Sequence, residues 1–145
     1  MQGKGWCSVE ELLQLRAAVQ SKKNILVLGN TGSGKTTLLN ALLAETAQER
    51  SVVIEDTAEI LLPNTVSVKM LTRFDSQGRL PEITQSDLVK QSLRMRPDRL
   101  IIGEIRGAEA KDLLMALSTG HRGSISSIHA HAPSEATRRL EMLIQ

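Results

Sequence analysis

The eight residues Gly29-Asn30-Thr31-Gly32-Ser33-Gly34-Lys35-Thr36 constrain the fold of this chain more than any other feature. They complete the pattern G-x-x-x-x-G-K-[ST]. Their flanks are the ones the pattern needs: the apolar run ILVL before them and the helical pattern TTLLNALLA after them. A buried strand must therefore end in a glycine turn that opens a helix. Glycines let the backbone bend until successive N–H groups point into one hollow, and the helix N-terminus adds partial positive charge there. Such a hollow suits a string of phosphates. Lys35 is expected to reach the β- and γ-phosphates, and the Thr36 hydroxyl to meet a Mg²⁺ that bridges them. The expected phosphate-binding set is Gly29, Asn30, Thr31, Gly32, Ser33, Gly34, Lys35, Thr36 and Thr37. The competing reading, a glycine-rich turn with a surface lysine, leaves the agreement of strand, turn and helix unexplained.

The remaining chain continues the alternation. Ile25 to Leu28, Val52 to Ile54, Leu100 to Ile102 and Ile125 to Ile128 read as strands, the first and third apolar enough to be buried on both faces. Helical patterns cover Ser8 to Gln20, Lys35 to Ala47, Thr84 to Met95, Ala108 to Ser118 and Ser134 to Gln145. Ser8 and Glu11 fit a capping box, Pro97 stops the third helix, and Gly120 lies just beyond the fourth. This order predicts βαβ units: an α/β fold of the P-loop NTPase class, with a mostly parallel sheet flanked by helices. At 145 residues, one domain with a substantial core is expected. The opening MQGKGW has no strand or cap, and the final amphipathic pattern simply stops, so a fragment of something larger is expected.

Composition removes several function classes. With 41% hydrophobic and 23% charged residues the chain is neither disordered nor fibrous. The longest apolar run, LLMAL from Leu113 to Leu117, is far short of the roughly twenty residues a bilayer requires, and no secretory signal is present. Cys7 alone forms no internal disulfide or cysteine-based zinc site, which fits a reducing compartment. A formal charge of +2, with Trp6 and Phe74 the only aromatics, disfavours sequence-specific nucleic-acid binding and a strongly basic DNA channel.

Acidic, histidine and arginine groups complete the candidate chemistry. RLIIGEIRG is an apolar strand pattern ending in Gly103 and Glu104. Because no Asp precedes that Glu, Glu104 is the candidate to orient or deprotonate an attacking water, and to touch the Mg²⁺ through a water. Its competing role is a strand-end ion pair with Arg106 or Arg99. Glu55, Asp56 and Glu59, in VVIEDTAEI, end another predicted strand, and both acidic groups can reach one ligand beyond the carboxyl ends of a parallel sheet. Function is favoured for Glu55, while Asp56 and Glu59 serve equally well as turn or capping residues. His129 and His131 lie two apart, yet no third or fourth zinc ligand is evident. Among His121, His129 and His131, an ordinary hydrogen-bonded role competes with contact to a γ-phosphate. Arg94, Arg96, Arg99 and Arg106, with Arg73 and Arg79 around the turn Ser76 to Gly78, suggest as a set an arginine acting across a subunit interface.

Four ordered stretches, LVLGNTGSGKTTLLNALL, VVIEDTAEI, LRMRPDRLIIGEIRGAEA and TGHRGSISSIHAHAP, resemble the secretion-system ATPases of type II secretion, type IV pili, Tad (Flp) pili and type IV conjugation machines. The resemblance runs over nearly the entire chain. It implies a RecA-like core binding ATP and Mg²⁺, working as a homo-hexamer at the cytoplasmic face of the inner membrane against secretion or pilus platform proteins. In family terms Gly29 to Thr37 form the Walker A motif, Glu55 belongs to the Asp box, and Glu104 ends an atypical Walker B motif as the catalytic glutamate. His121 and His129 are the His-box histidines, which implies nucleotide contact for His121 and a catalytic role for His129. The interval between these two histidines, and TRFDSQGRLPEIT before LRMRPDR, look most like the Tad-pilus and conjugation branch. The family's N-terminal domain and its last C-terminal helices are not among these residues, and His131 stands where a small polar residue is expected.

Other P-loop classes fit less well. A GTPase needs an [NT]KxD element, which is missing, and no lid or acceptor pocket of a small-molecule kinase is evident. A nucleotide-binding assembly module with little turnover is the second reading carried forward.

Overall fold

A computed structural model describes residues 7–145; the opening MQGKGW, with Trp6, lies outside the described residues. The order of elements is α1 (Val9–Gln20), β1 (Ile25–Leu28), α2 (Lys35–Ala44), β2 (Ser51–Glu55), β3 (Val68–Leu71), α3 (Gln85–Ser92), a 3₁₀ turn (Leu93–Met95), β4 (Arg99–Ile105), α4 (Glu109–Ser118), β5 (Ile125–Ile128) and α5 (Pro133–Ile144). The helix ends follow local chemistry. At α1, the Ser8 hydroxyl accepts the Glu11 amide at 3.2 Å while the Glu11 carboxylate accepts the Ser8 amide at 2.7 Å, which holds the Glu11 carboxyl below its ordinary range. Thr84 and Asp87 repeat the device at α3. Helix α2 ends at Ala44 rather than Ala47, because the Glu45 and Thr46 amides turn back to Leu42 and Leu43 and the Thr46 hydroxyl bonds the Leu43 carbonyl.

The five strands form one parallel sheet in the order β1-β5-β4-β2-β3. The expected α/β architecture is therefore what the chain adopts. Strand β3 is the one absent from the sequence reading. It pairs with β2 alone, keeps its residues half-exposed and carries Lys69 in its middle, so it lacks the continuous apolar run that marks the inner strands. Its weak alternation, Val66, Val68 and Met70 against Ser67 and Lys69, was the available signal.

Both faces of the sheet are covered. On one, Val53, Ile101, Ile125 and Val27 pack with Val19 of α1 and Leu39, Leu42 and Leu43 of α2. On the other, Val52, Ile54, Leu100 and Ile102 pack with Leu88 and Val89 of α3 and Ala110, Leu113 and Ala116 of α4, with Leu140, Leu143 and Ile144 of α5 alongside. Val52, Val53, Ile54, Ile101 and Ile102 are fully enclosed. Alternate residues of one strand thus feed opposite cores, which is why β2 and β4 read as unbroken apolar runs.

The amino end of the sheet is tied by Arg99, which is only 2% exposed. Its guanidinium pairs with Glu49 and donates to the carbonyls of Gly123 at 3.1 Å and Val19 at 2.6 Å, joining α1, the turn before β2 and the turn before β5. This corrects the reading of Arg99 as one of an interface set: a guanidinium enclosed by its own chain has no reach to a neighbour. Arg99→Met is expected to cost about 3–5 kcal/mol, because the Glu49 carboxylate and two carbonyls lose their donor. An unfolding free energy from urea titration lowered by less than about 1 kcal/mol would contradict this.

Candidate active site at the carboxyl ends of the strands

Gly29 leaves β1 with φ +151, and an added Cβ would run into the Ser33 side chain, so the turn closes only around glycine here. Gly34 then caps α2 in the left-handed region at φ 89. Glycine offers no side-chain acceptor, and among the described residues the amides of Lys35, Thr36 and Thr37 have none from side chain or backbone. An open row of donors therefore faces the cleft at the positive end of the helix. The Lys35 ammonium is held over the loop by the carbonyls of Gly29 and Asn30, each at 2.9 Å. These are exchangeable contacts that an anion can replace.

The cleft has a volume of about 550 Å³, within the range of small-ligand sites. Its walls bring together Thr31, Gly32, Gly34, Lys35, Thr36 and Thr37 from the loop and α2, Glu55, Asp56 and Glu59 from β2 and its exit, and Glu104 and Arg106 from β4. The strand order explains the spacing. With β5 between β1 and β4, the strands that carry the glycine loop and Glu104 lie about 10 Å apart, two interstrand steps.

A β-bulge aims Glu104. The β4–β5 register runs Ile102 against Ser126 and then Ile105 against Ile128, so Gly103 and Glu104 together oppose Ser127. The carbonyl of Gly103 is taken up by the Ser127 hydroxyl at 2.6 Å. A Cβ at Gly103 would sit 3.1 Å from the Glu55 side chain, so the small residue lets β2 and β4 approach. Ser127 and the bulge escaped the sequence reading; a glycine inside an apolar strand was their only sign. The Glu104 carboxylate accepts from Arg106 Nε at 2.7 Å and also pairs with its Nη2. The ion pair foreseen as a rival role is thus real, and it coexists with a place in the cleft wall.

Glu55, 3% exposed, accepts the Glu59 and Ile60 amides at 3.0 and 2.8 Å and so shapes the turn after β2. Its other oxygen lies 3.3 Å from Lys69, an ion pair without a hydrogen bond, because the ammonium donates to the Ile60 carbonyl. That turn presents Glu59, whose carboxylate accepts the Thr36 hydroxyl at 3.3 Å. Asp56 accepts from Thr72 and from the buried Gln85 amide, each at 3.0 Å. Lys69 and Gln85 are cleft-supporting residues the sequence did not reveal, since neither belongs to a motif.

The histidines separate. His121 precedes β5 and sits at the amino end of the sheet beside Lys22, Pro97 and Asp98, with Nδ1 3.3 Å from the Ala116 carbonyl. The strand between them carries His121 and His129 to opposite ends, so the expectation that His121 binds the nucleotide is corrected: it lies away from its own chain's cleft. His129 follows β5 at the carboxyl end but is not a wall of the cleft, and its ring meets that of His131 edge-on at 5.8 Å. Among the described residues no group of three or more His, Cys, Asp or Glu is placed to hold a metal. Of the other arginines, Arg73 bonds the Pro81 carbonyl at 2.9 and 3.1 Å and closes the loop after β3, while Arg79, Arg94 and Arg96 are exposed. In that loop the amides of Gln77, Leu80 and Arg79 hold the Asp75 carboxyl below its usual range.

Residues 4–145 match the family described as type II/IV secretion system protein. A putative conjugal transfer protein of Mycobacterium tuberculosis is 47% identical over 126 residues, spanning 86% of this chain and 36% of that protein. The type IV secretion system protein PtlH of Bordetella pertussis is 46% identical over 131 residues, spanning 89% and 39%. The VirB11 ATPase from the Brucella suis type IV secretion system, solved in complex with sulphate, superposes with a TM-score of 0.81 at 36% identity over 92% of this chain and 38% of that one. The chain thus spans little more than a third of each of these three proteins.

Lys69→Met should cost about 1–3 kcal/mol, because it leaves the Glu55 carboxylate buried without a cation. The lower urea midpoint should be partly restored by adding Glu55→Gln. An unchanged midpoint in the single variant would show that Glu55 needs no counter-charge.

Proposed function

As a member of the type II/IV secretion system protein family, the chain is, we propose, the ATP-hydrolysing motor domain of a secretion or pilus-assembly machine. The observation that carries this reading is the meeting of Lys35, Thr36 and Glu104 in one cleft at the carboxyl ends of β1 and β4. The RecA-like arrangement, with acids across from a glycine loop, supports it.

The residues fit a magnesium nucleotide. Three open amides at the start of α2 suit phosphate oxygens, and Lys35 exchanges two carbonyls for phosphate at no loss of hydrogen-bond count. The Thr36 hydroxyl, now on Glu59, would hold Mg²⁺, which supplies neutralisation of charge on the phosphates. Glu104 orients the attacking water with its unpaired oxygen and accepts its proton. Glu55 sets the turn that presents Glu59, and His129, at the exit of β5 but outside the cleft wall, would report the γ-phosphate to a moving neighbour only if that exit closes toward the nucleotide. The reaction so described is positioning and electrostatic stabilisation, with no covalent step by the protein.

Within the family we place the chain in the branch of conjugation and Tad-pilus proteins. The interval between His121 and His129 supports this, as do relatives named for conjugal transfer and type IV secretion. Action as a homo-hexamer, on inner-membrane platform proteins from the cytoplasmic side, completes the proposal. No helix among the described residues is long and apolar enough to cross a membrane. Further domains in the gene product are proposed to complete the nucleotide site.

Phosphate release by the full gene product tests the reading. Glu104→Gln should lower the turnover by about 10²- to 10⁴-fold while nucleotide still binds, and Lys35→Ala should lose binding itself. Equal turnover in wild type and Glu104→Gln would remove Glu104 from the chemistry.

A further inference from the structure

Glu104 sits on a bulge in the wall of the cleft, with a long side chain and, among the described residues, one hydrogen-bonding partner. That partner is Arg106, which donates Nε to Oε2 at 2.7 Å and brings Nη2 to the same oxygen. Among the described residues, no donor reaches Oε1. The third guanidinium nitrogen, Nη1, lies 3.6 Å from Asp56 Oδ2, so one cation spans a carboxylate of β4 and one just past the end of β2. The backbone beneath it is pinned: the Arg106 and Gly107 amides both donate to the buried Glu109 carboxylate, the latter at 2.7 Å.

We propose that Arg106 is a positioning residue for Glu104, fixing one carboxylate oxygen so that the other faces the attacking water. This rests on the ATP-hydrolysing reading above and assigns the arginine a role within its own chain, in place of one across an interface.

Among the described residues, the charges around Glu104 leave this task to Arg106. Lys35 is spent on the loop carbonyls, and Lys69 faces Glu55 and the Ile60 carbonyl. Glu55, Asp56 and Glu59 from β2 and its exit are like charges, Gln85 from α3 and Ser127 from β5 are neutral, and His129 lies outside the wall. Without Arg106, repulsion from those acids would move the Glu104 carboxylate away from them. With it, Asp56 becomes an anchor, and Asp56 is itself held by Thr72 and Gln85 at the two feet of the loop between β3 and α3. The pair is 61% and 24% exposed, so it adds little to stability, and conformational control is what it can supply.

The test is made on the full gene product. Arg106→Ala should lower kcat for phosphate release by at least about tenfold, as small displacements of a reacting group do. KM for ATP and the dissociation constants of ATP and ADP should stay within about twofold, and Arg106→Lys should recover part of kcat. Asp56→Asn should lower kcat by less than Arg106→Ala. A crystal structure of nucleotide-free Arg106→Ala should show the Glu104 carboxylate displaced or in several conformers, a readout independent of activity. Circular dichroism and melting confirm folding, with Arg106→Gln as the second variant. Wild-type kcat in Arg106→Ala overturns the proposal. So does a loss of ATP affinity as large as the loss of kcat, which would place the arginine on phosphate, or an unmoved Glu104 in the variant crystal. If the wild type itself shows no Glu104-dependent turnover, the functional reading has failed, and the crystal comparison decides the positioning alone.

Discussion

The start of α2 is a helix end without a cap, and the rest of the molecule is arranged around that fact. Helices α1 and α3 each satisfy their first amides with a hydroxyl and a carboxylate three residues on. Helix α2 begins at a glycine in the left-handed region and leaves its first amides open. A helix end of this kind is unfavourable unless water or an anion completes it, and the glycine loop that precedes it lines the same cleft. The strand feeding the loop must be held rigidly for this to work. Burial of β5 and β4 between two layers of helices does that, with β1 paired along β5 at the sheet edge and Val27 enclosed.

Charge is distributed so that the hollow neither fills itself nor repels its ligand. Four carboxylates line or border the cleft, against Lys35, Lys69 and Arg106. Each acid is committed before a ligand arrives: Glu55 to a turn and Lys69, Glu59 to Thr36, Asp56 to Thr72 and Gln85, Glu104 to Arg106. The bulge at Gly103 and Glu104 is the backbone counterpart. It releases one residue from the ladder and turns the carboxylate outward, at the cost of a carbonyl that Ser127 takes up.

Much of this was legible in the residues because it is local. Strand, glycine turn and helix follow one another within a short stretch, and the acid-bearing strand carries its own apolar signature. What was not legible depends on contacts between distant segments. Strand β3 exists because an edge position beside β2 tolerates Lys69, a property of neighbours rather than of its own pattern. Arg99 looked like the other arginines until the packing of Val19, Glu49 and Gly123 enclosed it. His121 and His129 share a motif on paper, yet a strand crosses the sheet between them. Sharing a motif therefore did not mean sharing a place in the fold.

The claim at the centre is that α2's open amides receive the phosphates while Glu104 stands beyond the terminal one. A crystal structure of the full gene product with a non-hydrolysable ATP analogue and Mg²⁺ tests this most directly. The β- and γ-phosphates should lie on the amides of Gly34 to Thr37 with Lys35 Nζ turned onto them, and a water should stand between the γ-phosphate and Glu104. A nucleotide bound away from the Gly29–Thr36 loop, or a Glu104 carboxylate separated from the γ-phosphate by intervening protein, would contradict it.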